Sequence, residues 1–126
     1  MARDFRQLVV WQLADELQTV TLELTRTERW ARDFDLRDEA LKTTSQMCRN
    51  IAEGFRRHSH RDFARFLEYC ESSTAELRSL FDEAQKKGCA SAPQLQPART
   101  LCYRLERALR PFIRYLRNNP PPPWWD

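Results

Sequence analysis

Four cysteines, two histidines and a surplus of arginine are the residues of this sequence with most chemistry to offer. Cys48, Cys70, Cys89 and Cys102 never form a C-x-x-C pair, so zinc-ribbon spacing is absent, and no signature of a nucleophilic thiol surrounds any of them. Three of them, Cys48, Cys70 and Cys102, fall on apolar helical stripes, where a free thiol behaves as a small hydrophobe. His58 and His60 flank Ser59, and a metal would want further ligands that the sequence does not place; a surface role in a capping turn is expected instead. Glu53 has Arg49 four residues before it and Arg57 four residues after it, which makes it an ion-pair partner along its own helix. No second acid, base or nucleophile converges on it at recognisable spacing. The expectation is a protein with no enzymatic activity, no metal and no cofactor.

The arginines carry the more specific possibility. Arg56, Arg57, His58, His60, Arg61 and Arg65 crowd one turn with Asp62 the sole acid among them. Further on, at ~100° per residue, Arg99, Arg107, Arg110, Arg114 and Arg117 fall within a sector of roughly 80° beside the apolar stripe. A guanidinium donates two parallel hydrogen bonds to phosphate, which suits such a row to RNA or single-stranded DNA. A charged row beside a core stripe is also the ordinary solvated or ion-paired face of a helix, and both readings stand at this point. Total charge does not choose between them: 21 Lys and Arg against 18 Asp and Glu leave only +3, far below a dedicated polyanion binder.

Helices must position these residues. Two glycines in 126 residues argue against hairpins and bulges, and the length fits one domain. Val10, Leu13, Ala14, Leu17, Thr21 and Leu24 recur at three- and four-residue steps, predicting a first helix from Arg6 to Thr25. A charged connector, 28–33, leads to a second helix over Asp35 to Arg57. Ser59, three residues before Asp62, caps a third, which ends at Gly88. A turn over Ala90 to Pro93 precedes a fourth helix from Leu95, kinked near Arg107 by Pro111. Each stripe needs a neighbour to cover it, so an all-α, antiparallel four-helix bundle is expected over 1–117. Residues 118–126 follow as an extended proline-rich tail, in which Pro122, Pro123, Trp124 and Trp125 present a docking surface for a partner. No run reaches the ~18 apolar residues of a membrane span, and the start has no secretory h-region, so a cytoplasmic protein is expected.

Three short stretches are more than periodic: Phe5-Arg6-Gln7-Leu8-Val9-Val10-Trp11-Gln12, Asn50-Ile51-Ala52-Glu53-Gly54 and Ser59-His60-Arg61-Asp62-Phe63-Ala64-Arg65-Phe66-Leu67. In that order they resemble the four-helix-bundle family encoded in intervening sequences of bacterial large-subunit ribosomal RNA genes, with relatives among the accessory variability proteins of diversity-generating retroelements. The resemblance implies a self-assembling ring, commonly of five subunits, without enzymatic activity. Its retroelement branch implies contact with nucleic acid and with a reverse transcriptase. This sequence has Leu41-Lys42 where the family often has two arginines, and Gln46-Met47-Cys48-Arg49 in place of a Ser-Ile-Pro stretch.

Within the second block, Gly54 costs about 1 kcal/mol relative to Ala inside a helix, which asks for the close approach of another backbone. Asn50 predicts a hydrogen bond between helices or subunits, the alternative being an exposed polar residue at the edge of the stripe. Trp11 and Trp30 are large for one small bundle to bury, and with Asn50, Glu53 and Gly54 they point to a homo-oligomer. The expected function is a non-enzymatic, ring-forming adaptor that binds nucleic acid through its arginines and a partner protein, a reverse transcriptase or other effector. The alternative is a protein-only scaffold that recruits an effector through its tail.

Overall fold

The computed structural model describes residues 2–121, so the tail residues Pro122, Pro123, Trp124 and Trp125 lie outside the described residues. Asp4 caps a short 3-10 turn, Phe5–Gln7, by accepting from the Arg6 amide at 2.8 Å. Leu8 is extended, and this starts the first helix at Val9 rather than Arg6: α1 spans Val9–Thr25. The expected connector is itself a five-residue helix, α2 (Glu28–Arg32), which buries Trp30 completely with its ring edge-on to Phe81 at 6.5 Å. The expectation that Trp30 would escape burial is therefore corrected, because α2 folds it into the end of the core.

Asp33 accepts from the Leu36 amide at 3.2 Å and opens α3 (Phe34–Phe55). Its carboxylate also takes Lys87 Nζ at 3.0 Å, tying that cap to the far end of the next helix. The lysine hydrogen bond first, and the Leu36 amide second, hold Asp33 below its ordinary pKa of 3.8, while Asp33 raises Lys87 above 10.5. The clamp is thus weakened as pH falls through the lowered value of Asp33 and again as it rises through that of Lys87. Ser59 accepts from the Asp62 amide and starts α4 (His60–Lys86). Gly88 closes it at φ +75°, where a Cβ would stand 2.7 Å from Arg29 Nη1. Ser91 and Gln94 form a reciprocal cap, so α5 (Ala92–Asn118) begins three residues before the expected Leu95. Pro93 fits inside that first turn because no amide is needed there. Pro111 withholds one donor, yet the helix runs unbroken to Asn118, one residue into the expected tail.

Every described element is helical, and the four long helices form a bundle in which α3 packs on α4, α4 on α5, and α1 on both α3 and α5. Leu17, Met47, Ile51, Leu67, Leu77, Phe81, Leu105 and Leu109 are fully buried between them. Thr44 and Thr74, equally buried, return their hydroxyls to carbonyls of their own helices, Ala40 and Leu41 for one and Cys70 for the other. Thr21 Oγ1 is buried with no partner among the described residues. A buried hydroxyl without a partner costs about 1–3 kcal/mol, and valine has nearly the same shape. Thr21→Val should therefore raise unfolding stability by about 1 kcal/mol in denaturant melts; an unchanged or lower midpoint would contradict it.

Candidate functional site

The α3–α4 junction is where the second sequence block meets the third. A Cβ on Gly54 would lie 2.8 Å from Phe66 Cβ, 2.9 Å from Phe63 Cδ1 and 3.4 Å from the Phe63 carbonyl oxygen. The glycine therefore lets α4 close onto α3 within one chain. Phe63 then stands edge-on to Phe55 at 6.1 Å and to Phe112 at 5.3 Å, joining three helices at this end of the bundle. Ile51, one turn earlier, is fully buried in the same seam.

Asn50 and Glu53 lie at the edge of that seam. With Phe5, Arg49, Ala52, Arg56 and Phe66 they line an open groove of about 540 Å³ along the outside of α3. Asn50 has no side-chain hydrogen bond among the described residues, while Glu53 pairs with Arg57 at 3.2 Å along its helix. Arg57 also lies 4.9 Å from the centre of the Phe66 ring, with Arg65 at 5.6 Å. Trp11 is half-buried, edge-on to Phe5 at 5.5 Å. Phe5 and Phe66 carried no signal by themselves in the sequence, since a phenylalanine at a stripe edge looks like core.

The basic turn is smaller than its sequence suggests. Arg57 and Arg65 are engaged, Arg65 with Asp62 at 3.6 Å as well as with Phe66. His60 is corrected from surface to interior: it is 5% exposed, and its Nδ1 lies 2.7 Å from the Asn119 carbonyl oxygen, which fastens the end of α5 to the start of α4. His58 is exposed at φ +54°. Arg56 and Arg61 are left without an acidic partner among the described residues.

On α5, most of the arginine row faces carboxylates of α4. Arg99 meets Asp82 at 2.8 Å, Arg110 meets Glu71 at 2.6 Å, Arg117 meets Glu68, and in the opposite sense Arg78 meets Glu106 at 3.0 Å. As the α5 number rises the α4 number falls, which is the signature of antiparallel neighbours and was readable only once the helices were paired. Exposed pairs of this kind contribute about 0.2–1 kcal/mol each. Arg107 donates instead to the Tyr103 hydroxyl at 2.9 Å, and Arg114 has no acidic partner among the described residues.

Three of the four thiols are held far from reactivity. Burial pushes Cys48, Cys70 and Cys102 up to about 12, which leaves almost no thiolate at neutral pH. All four cysteines are free, and Cys89 is buried in the α4–α5 turn. Among the described residues, no three His, Cys, Asp or Glu side chains are grouped to hold a metal, and no helix is long and apolar enough to cross a membrane.

A sequence model of 23S rRNA-intervening sequence proteins matches residues 6–110. The chain belongs to that family. The matched span of this 23S rRNA-intervening sequence protein takes in α1 to α4, the Asn50–Gly54 seam and most of α5, and stops before Arg114, Arg117 and the tail. Among curated proteins, none matches.

Gly54 gives the sharpest mutational expectation here. Gly54→Ala must push the Phe63 ring, the Phe66 Cβ and their helix away from α3, and overpacking of this kind costs about 1–3 kcal/mol despite the better helix propensity of alanine. Chemical denaturation of the variant should show that loss, and a stabilised variant would show that the seam is slack.

Proposed function

We propose that this member of the family is a non-enzymatic adaptor that assembles with copies of itself into a ring, five being the number the family resemblance supplies. One observation carries the reading: the Asn50–Gly54 block is divided between two tasks. Ile51 and Gly54 serve the seam inside the chain, whereas Asn50 and Glu53 open into a groove walled by Phe5, Phe66, Arg49 and Arg56. Aromatic and arginine side chains around an unused amide are the composition of an energetically dominant interface centre. A ring with an odd number of subunits needs two different patches on each copy, so the groove meets another surface of its neighbour rather than itself.

The adaptor's cargo is a polyanion, RNA or single-stranded DNA, held by arginines without an acidic partner among the described residues, Arg61, Arg107 and Arg114 foremost. The sequence resemblance to retroelement accessory proteins makes a reverse transcriptase the partner protein to test. The protein-only alternative is favoured by the α4–α5 ion pairs, which occupy Arg99, Arg110 and Arg117 inside the chain.

Light scattering on the purified chain tests the assembly. A mass five times the 15.1 kDa subunit is expected; a monomer at tens of micromolar would overturn the reading.

A further inference from the structure

A groove of about 930 Å³ runs between α4 and α5. Ser72 and Ala75 of α4 give it a small-residue floor, and Pro111 of α5 lies along it. Its charge is uneven. Glu106 is taken by Arg78 and Glu71 by Arg110, so these four cancel, while Arg107 and Arg114 add two positive charges with no carboxylate against them among the described residues. Between such walls a charge is less screened than on a convex surface, and the groove attracts anions.

Tyr103 stands at its lip. It is 58% exposed, too much for a core role, and its position is set by Arg107, whose Nη1 donates to the hydroxyl at 2.9 Å and whose guanidinium carbon lies 5.6 Å from the ring centre. One face of the ring is thus associated with a cation, and the ring is held ready without being covered. Along α5, Arg107 follows Tyr103 by four residues, about 6 Å of rise, and Arg114 follows Arg107 by seven, about 10.5 Å and almost the same side of the helix.

An aromatic face followed by two forked cations in one line is chemistry for a chain that alternates flat rings and phosphates. A base in a duplex hides both its faces in the stack, whereas an unpaired base offers them, at about 1–3 kcal/mol per stacked aromatic contact. An acidic peptide would satisfy the arginines but gives Tyr103 nothing to stack on.

We propose that the α4–α5 groove binds a single-stranded polynucleotide, one base stacking on Tyr103 and the backbone phosphates on Arg107 and Arg114. The proposal rests on the polyanion arm of the function proposed above, and it names the strand state and the place.

Fluorescence anisotropy of the full chain with labelled oligouridylate, oligothymidylate and a duplex of equal length tests it. Single strands should bind more tightly than the duplex, and the uridylate against thymidylate comparison shows whether the RNA or the DNA strand is preferred. Tyr103→Ala should weaken single-strand binding about 5- to 150-fold, Tyr103→Phe by less than about 3-fold because the stacking face remains, and Lys42→Gln not at all. Arg107→Gln with Arg114→Gln should lower the salt slope by about 0.7 for each lost contact. Binding by Tyr103→Ala equal to the parent, or a duplex bound as tightly as the single strand, would overturn the site. Loss on Arg61→Gln with Tyr103→Ala unaffected would move the contact to the α3–α4 turn, overturning the site while keeping the polyanion reading. No binding by the parent at low salt overturns both. A change of assembly mass on Tyr103→Ala, with oligonucleotide binding unaltered, would show the groove to be covered by a second copy.

Discussion

The close approach of α4 to α3 at Gly54 is the constraint from which most of this molecule follows. Nothing larger than a hydrogen fits beneath Phe63 and Phe66 at that point. Once the two helices are that near, Phe63 reaches Phe55 and Phe112 together, and Asn50 and Glu53, at the edge of the seam, line the groove beside it. A glycine inside a 22-residue helix is a local liability of about 1 kcal/mol. It persists because the packing it permits joins three helices at one end. Trp30 against Phe81 does the corresponding work at the other end, where Asp33 and Lys87 clamp the helix termini.

The charges are organised by the same geometry. With α4 and α5 antiparallel, an arginine row on one helix meets a carboxylate row on the other, and much of the basic surface that the sequence displays is spent within the fold. In the α4–α5 groove, Arg107 and Arg114 are left without an acidic partner among the described residues. An adaptor of this composition would hold a polyanion at a few defined contacts, and multiply them by assembling, rather than through a diffuse positive field.

The long helices were legible in the sequence because each buries one stripe over many turns, so the three- and four-residue steps of Val10 to Leu24 or Phe63 to Ala84 repeat often enough to read. Ser59 was legible as a cap because capping is local. The five residues of α2 were not, since they complete barely one period, and the burial of Trp30 depends on Phe81 far along the chain. The burial of His60 was hidden for the same reason: its partner is the Asn119 carbonyl, 59 positions away. The arginine row of α5 was visible as a row, but whether it faces water, phosphate or Glu68 and Glu71 is a property of helix pairing that no single stripe contains.

The Asn50–Gly54 block divides between a seam that folds the chain and a groove that, in the proposed ring, receives the neighbouring copy. Sedimentation velocity on an Asn50→Arg variant, with helicity measured alongside, tests that division, because the new side chain is placed in the groove beside Arg49 and Arg56 while Ile51 and Gly54 are left unchanged. The expected result is a folded variant that sediments as the 15.1 kDa subunit, with the parent sedimenting as the proposed ring. A variant that sediments with the mass of the parent would contradict it.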